Sequence, residues 1–153
     1  QRLSRGLGDV YKRQEYSLLC RHFDLDMAEV AHHEKIGLLS FSPLAAGLLT
    51  GKYSGDVIPD GSRRTYVADL GGRVSESIWP ALDTYIDIAM TYNLNVAQMA
   101  LAWAQSRPFM TSVIFGATTL DQLALALGAA DITLGPDIIN DIASAYRHFP
   151  MPF

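Results

Sequence analysis

The chain has 153 residues and a formal net charge of −4, from 12 basic and 16 acidic residues. Its length suits one ordinary domain, and its apolar content is ample for a core. The mildly acidic balance argues against nucleic acid or an anionic membrane as a partner, and no apolar run reaches the length that spans a bilayer.

Residues 1–14 differ in composition from the rest of the chain. They carry four of the twelve basic residues and one of the sixteen acidic residues. The segment has no central apolar stretch of the kind found in signal peptides. We predict an unstructured leader, or a foreign extension joined by cloning or assembly, with a basic targeting arm as the alternative. The folded unit is then residues 15–153.

The first predicted elements are a short strand at residues 15–19 and a helix that begins at Asp26. Glu29 follows three places after Asp26, as a capping box requires. The single cysteine, Cys20, excludes an internal disulfide and fits a reducing cytoplasm. We interpret it as a small buried apolar residue rather than a nucleophile.

Two histidines, His32 and His33, follow in this helix. Adjacent residues on a helix point about 100° apart, so these side chains cannot easily share one ion. We therefore predict a solvated helix surface and no metal site.

Residues 36–41 form a short apolar run typical of a strand buried on both faces. Ser42 and Pro43 end the run, and the loop that follows carries small residues, hydroxyls and one cation, Lys52. Backbone N–H groups and a positive charge can converge on an anion in such a loop. We infer a phosphate site.

The loop does not have the spacing of a nucleotide-hydrolase P-loop. That motif needs four residues between its glycines and a hydroxyl residue after the lysine, because the hydroxyl holds magnesium. Here three residues separate Gly47 from Gly51, and Tyr53 follows Lys52. Both requirements fail.

Residues 54–74 contain Gly, Asp, Pro and Arg without periodicity, which is typical of a lid, a binding loop or a disordered segment. Arginine suits phosphate because its fork donates two hydrogen bonds at once. Helices are then predicted from Ser77 and from Asn95, each with a capping residue at its start.

A second buried strand is predicted at residues 111–115, followed by a turn at residues 116–119 and a helix that begins at Leu120. Thr119 and Gln122 make a capping-box pair, and a helix start after a parallel strand can bind phosphate. A last helix is predicted to begin at Gly135 and Pro136. Alternation of buried strands with amphipathic helices predicts an α/β fold with a parallel sheet and right-handed crossovers.

The run from Phe41 to Tyr53 resembles the seventh-strand segment of the aldo-keto reductases, which has an aromatic residue, Ser-Pro-Leu, and then Gly-Leu-Leu-Thr-Gly-Lys-Tyr. The resemblance extends over residues 15–153 and implies a partial (β/α)8 TIM barrel, namely strands six to eight with their helices. A complete barrel of this kind takes about 250 residues. We therefore expect the C-terminal half of such a barrel.

The resemblance implies that the chain binds NADP(H). In the family, the aromatic residue stacks on the nicotinamide, and the turn after it holds the pyrophosphate together with the lysine. An arginine of the long loop reaches the cofactor, and the turn after the last strand binds the adenosine 2′-phosphate and adenine. The matching residues are Phe41, Ser42, Pro43, Leu44, Ala45, Ala46, Lys52, Arg63, Gly116, Thr118 and Gln122. Ala126 and Arg13 stand where the family usually has Asn and Gln.

The family's catalytic tyrosine and its three partners lie in the first half of the barrel, so the resemblance implies no catalytic residue here. We expect NADP(H)-dependent reduction of a small carbonyl substrate by the intact parent, and a cofactor-binding part that is inactive alone. One alternative is a nucleotide-binding or interaction module without turnover. Another is self-association through open sheet edges.

Overall fold

The computed structural model describes residues 11–153. Within them, parallel strands alternate with helices, which confirms the predicted α/β class. The strands are β1 (Tyr11–Glu15), β2 (Gly37–Phe41) and β3 (Met110–Val113). The helices are α1 (Met27–Glu34), α2 (Ile78–Thr91), α3 (Val96–Gln105), α4 (Leu120–Leu127) and α5 (Pro136–His148).

The first strand begins earlier than predicted. It covers Tyr11–Glu15 and pairs in parallel with β2. The predicted strand at residues 15–19 is wrong, because Ser17 and Cys20 exchange backbone hydrogen bonds of 3.0 and 3.2 Å that close a turn. Apolar side chains in this turn are buried without belonging to a strand.

The prediction of an unstructured leader at residues 1–14 does not hold for residues 11–14, which lie in β1. The side chains of residues 12–14 are exposed, as expected for polar residues. Their order comes from backbone pairing with β2, which composition does not report. Residues 1–10 lie outside the described residues, and a native or foreign origin of the leader stays a prediction.

The sheet has the order β1-β2-β3, and both pairings are parallel. The expectation that its apolar strands are buried on both faces is wrong. In β2, burial alternates: Leu38 and Ser40 are buried, whereas Leu39 and Phe41 are partly exposed. β3 is short, and its central residues are exposed. One face of the sheet packs on the main core, and the other is half open.

Two of the predicted helix caps are present. Asn95 accepts hydrogen bonds from two first-turn N–H groups of α3, at 2.9 and 3.3 Å. Thr119 accepts one from the Gln122 N–H of α4 at 3.2 Å. Asp26 precedes α1 but its side chain caps nothing, because its own backbone is already helical.

Among the described residues, no single helix is long and apolar enough to span a bilayer. The segments Leu120–Asp131 and Pro136–His148 reach that length and composition only together, across a bend of 115°.

The residues after β1 are held by aromatic packing against α3. The Tyr16 ring stacks on Trp103 with centroids 5.3 Å apart, and the Tyr16 hydroxyl donates to Asp24 Oδ1 at 2.7 Å. Arg21 binds the same carboxylate and lies over two rings, 4.9 Å from that of Trp103 and 3.9 Å from that of Tyr146 in α5. This cluster joins the end of β1 to α3 and α5.

We expect Trp103→Ala to lower the free energy of unfolding by about 3–5 kcal/mol, because it empties the centre of this cluster. Urea unfolding should be followed by far-UV circular dichroism, since Trp103 is one of only two tryptophans. Met90→Ala, at a side chain of α2 that is 71% exposed, is the matched control. Equal unfolding midpoints for both variants would contradict the packing role.

The Cys20 thiol is buried, and burial raises its pKa to about 11 from an ordinary value of 9.0. At pH 8 we expect the native protein to react with an aromatic disulfide reagent about 100-fold more slowly than the urea-unfolded chain, because less thiolate is present. The native rate should keep rising as the pH approaches about 11. A native rate that levels off near pH 9 would contradict this prediction.

Candidate functional site

The three strands end at one edge of the sheet, which we call the carboxyl edge. Glu15 is the register partner of Phe41 there, and Ser40 is the partner of Val113. Because all pairings are parallel, the turns that follow β2 and β3 leave from the same edge. We call residues 42–51 the β2 turn and residues 114–119 the β3 turn.

The β2 turn has an unusual backbone. Ser42, Ala45 and Ala46 have φ values of 51°, 47° and 56°, which are rare for residues with a side chain. Gly47 follows at φ 100°. Leu44, at φ −102°, precedes the left-handed pair. The Ala45 and Gly47 N–H groups donate to the Ser42 and Leu44 carbonyls, at 2.8 and 2.9 Å, so these hydrogen bonds close the turn on itself.

Lys52 lies directly against this turn. A Cβ built on Gly47 would approach Lys52 Cε to 3.3 Å and Nζ to 3.5 Å, so the lysine side chain runs along the bare glycine backbone. The Lys52 ammonium is exposed and lies 5.0 Å from the centroid of the Tyr53 ring. The positive φ of Gly47 favours glycine here, whereas the flexible Lys52 side chain could yield to a Cβ with a small shift.

The predicted residues of this turn divide into two groups. Phe41, Ser42 and Ala46 are partly exposed, and the Phe41 ring has the Arg13 guanidinium 5.9 Å from its centroid. Pro43, Leu44 and Ala45 serve mainly to pack the turn: Pro43 and Ala45 are buried, and Leu44 contacts both apolar clusters.

The β3 turn borders an open hollow of about 430 Å³. Thr118 donates from its backbone N–H and its hydroxyl to Gln122 Oε1, at 3.0 and 3.1 Å. Gln122 therefore holds the turn, and its side chain does not reach back to the cap Thr119 as a full capping box would. Gly116 is exposed, with open space around it. The hollow is lined by Phe115, Ala117, Thr118, Thr119, Leu120 and Leu123.

A small apolar cluster joins the two turns. Leu101, Ala126 and Ala129 form its buried centre, and Leu44 from the β2 turn and Phe115 from the β3 turn pack against it. The position of one turn relative to the other is thus set by shared packing. The predicted residues at 41–46 and 116–122 are brought to one side of the molecule.

The three arginines of the long loop, residues 54–74, differ in burial and in their hydrogen-bond partners. Arg64 is 6% exposed and donates to Asp56 Oδ1 at 2.8 Å and to the Ala68 carbonyl at 3.1 Å. Arg73 is bound to Glu15. Arg63, the residue predicted to reach a cofactor, has an exposed side chain.

Two buried tyrosines have raised pKa values and stay protonated at neutral pH. Burial and the Asp24 carboxylate raise the pKa of Tyr16 far above its ordinary value. Burial raises the pKa of Tyr85 to about 12, and its hydroxyl donates to the Leu18 carbonyl at 3.1 Å. Both hydroxyls are engaged in structural hydrogen bonds, so we assign neither a role as a proton donor.

No group of three or more His, Cys, Asp or Glu side chains within residues 11–153 is arranged to hold a metal. The His32 and His33 rings lie 5.4 Å apart at an angle of 74°, on an exposed part of α1.

Sequence reasoning missed Glu15 as a residue of the carboxyl edge. The sequence predicts Glu15 at the start of a strand, whereas the residue ends β1 beside Phe41.

Comparison with known proteins identifies a family and several similar proteins. A sequence model described as the aldo/keto reductase family matches residues 7–147. "Protein tas" of Escherichia coli (strain K12) is 37% identical over 137 residues, which are 90% of this chain and 40% of that protein. "Uncharacterized oxidoreductase YrpG" of Bacillus subtilis (strain 168) is 33% identical over 141 residues, 90% of this chain and 41% of that protein.

A third relative is the "Probable voltage-gated potassium channel subunit beta" of Arabidopsis thaliana, 30% identical over 150 residues, 94% of this chain and 46% of that protein. The chain thus spans less than half the length of the relatives it matches. The family match covers most of the chain and includes both turns of the carboxyl edge. The chain therefore belongs to the aldo/keto reductase family.

Proposed function

We propose that this chain forms the NADP(H)-binding part of an aldo-keto reductase that transfers hydride between the cofactor and a small carbonyl compound. The observation that carries the proposal is the shared position of the β2 and β3 turns at one edge of a parallel sheet. One turn combines a tight backbone, with several residues at positive φ, with the Lys52 cation beside it. The other combines Thr118 with the start of α4. Two anion-suited turns fit a dinucleotide that also carries a 2′-phosphate.

In this proposal, β1, β2 and β3 are strands six, seven and eight of a (β/α)8 barrel, whose ligands bind at the carboxyl ends of the strands. The nicotinamide stacks on Phe41, and the pyrophosphate lies over the β2 turn beside Lys52. Arg63 reaches the cofactor from the long loop. Gly116, Thr118 and Gln122 receive the adenosine end.

Hydride transfer to a carbonyl also needs a proton donor at the developing alkoxide. On the family pattern that donor and its partners belong to the first half of the barrel. We therefore propose that residues 15–153 bind the cofactor without catalysing the reaction by themselves. A reducing, cytoplasmic location also belongs to the proposal, and the free thiol of Cys20 is compatible with it.

A second candidate function is a nucleotide-binding or interaction module without turnover. A relative named as a potassium channel subunit beta makes this candidate worth testing. Within the described residues, β1 and β3 each pair with one neighbour only, so each leaves an edge open. Leu120 and Leu127 of α4 are 83% and 58% exposed. Open edges and exposed leucines favour self-association.

We expect wild-type protein to bind NADPH, and Lys52→Ala to weaken that binding about 10-fold, or about 1.4 kcal/mol, because the cation beside the β2 turn is lost. Isothermal titration calorimetry should measure the affinity for NADPH, NADH and 2′,5′-ADP. NADPH tests the whole cofactor, NADH shows the effect of losing the 2′-phosphate, and 2′,5′-ADP tests the adenosine end alone.

Arg147→Ala is the matched control for this experiment, since it removes an exposed cation from the last turn of α5. Wild-type protein that binds none of the three ligands would refute the cofactor-binding proposal. Carbonyl-dependent oxidation of NADPH by this chain alone would refute the proposed inactivity.

For self-association, we expect light scattering to give a mass above the 16.8 kDa of one chain that rises with concentration. The double variant Leu120→Lys/Leu127→Lys should shift the mass toward one chain, because charges oppose burial of the α4 face. Leu25→Lys, at a side chain 56% exposed, is the control. A mass of one chain at every concentration would refute self-association.

A further inference from the structure

An ion pair connects the carboxyl edge to the far end of the long loop. Arg73 donates from Nε to Glu15 Oε1 at 2.8 Å and from Nη2 to Glu15 Oε2 at 2.6 Å. The side chains are only 17% and 19% exposed. Two parallel hydrogen bonds in a half-buried setting make a stronger and more directional contact than an ordinary surface pair.

Arg73 also fixes the loop backbone and meets the C-terminal tail. Its Nη1 donates to the Leu70 carbonyl at 2.7 Å, and its guanidinium lies 5.9 Å from the centroid of the Phe153 ring. The hydrogen bonds to Glu15 raise the pKa of Arg73 above its already high value. The guanidinium is therefore held charged, and it joins β1, the loop and the tail.

The tail is fastened to the residues that follow the loop. Ser75 and Ser77 both donate their hydroxyls to the Pro152 carbonyl, at 2.6 and 2.8 Å. Ser77, which the sequence predicted as the cap of α2, thus holds the tail instead. The end of the loop is consequently bounded on two sides, by β1 and by the chain terminus.

Within the loop, Arg64 provides a second point of attachment. It is buried between the rings of Tyr53 and Trp79, with its guanidinium 5.6 and 5.3 Å from their centroids. Tyr53 in turn contacts the β2 turn, because a Cβ on Gly47 would lie 3.4 Å from its ring. Arg63, next to Arg64 in sequence, is exposed. Two arginines are used to hold the loop, and the third is left free to meet solvent.

We propose that the Glu15–Arg73 ion pair is a tether that keeps residues 54–74 against the carboxyl edge and so positions Arg63 for a ligand phosphate. Glu15 and Arg73 are positioning residues, which act through the loop. The naming of the ligand rests on the proposed function. The tether itself rests only on the contacts of this chain.

Trypsin tests the tether without any ligand. We expect Glu15→Gln and Arg73→Gln each to speed cleavage after Arg63 about 10-fold, because cleavage follows the population of the released loop. Mass spectrometry identifies the site of cleavage, since Arg73→Gln also removes a trypsin site. Arg147→Gln, at an exposed residue of α5, should leave the cleavage rate unchanged. Unchanged cleavage in both Gln variants would overturn the tether.

NADPH binding supplies the second measurement. We expect each single variant to weaken binding about 5-fold and the double variant to be no weaker than either, because one contact is lost in all three. A double variant that regains wild-type affinity would overturn the proposal, since Arg73 would then only neutralise the Glu15 charge. Absence of NADPH binding by wild-type protein would overturn the ligand assignment, while the cleavage rates would still decide the tether.

Circular dichroism verifies that each variant is folded. Should the Gln variants not fold, Arg73→Lys keeps the charge but cannot form the two-pronged contact. It should then show an increase in cleavage after Arg63 of about 3-fold. Cleavage at the wild-type rate in a folded Arg73→Lys protein would overturn the geometric part of the tether.

Discussion

Parallel pairing of β2 between β1 and β3 is the constraint on which the candidate site depends. Because the three strands run in one direction, everything that follows their carboxyl ends is gathered at one edge. The β2 turn, the β3 turn and Glu15 come from parts of the chain separated by up to about a hundred residues, and only this pairing makes them neighbours. Shared packing of Leu44 and Phe115 on one apolar cluster then sets their spacing.

The exposed charge at the carboxyl edge is opposite in sign to the net charge of the chain. The protein is acidic, yet the exposed Lys52 cation lies directly against the β2 turn. The acidic residue at the edge, Glu15, is paired with Arg73. An anion that approaches the β2 turn therefore meets the Lys52 cation, while the charge of the Glu15 carboxylate is compensated. Local arrangement, not net charge, determines what such a surface attracts.

The sequence predicted the α/β class and the α3 cap at Asn95, because these follow from periodicity and local hydrogen bonding. It did not predict β1 correctly, since residues 12–14 of this strand are polar and exposed and their order comes from pairing with β2. It predicted buried strands from the apolar run of β2, but burial on the second face depends on what covers the sheet. The Glu15–Arg73 contact joins residues 58 positions apart, beyond any local pattern.

The self-contained hydrogen bonding of the β3 turn has a thermodynamic consequence. Both polar hydrogens of Thr118, on its nitrogen and its hydroxyl, are already given to Gln122. A phosphate that binds there must first displace Gln122 Oε1, which accepts both hydrogen bonds. Binding at this turn therefore exchanges one acceptor for another. Such exchange returns little net enthalpy for neutral donors, and the gain must come from the anion's charge beside the start of α4.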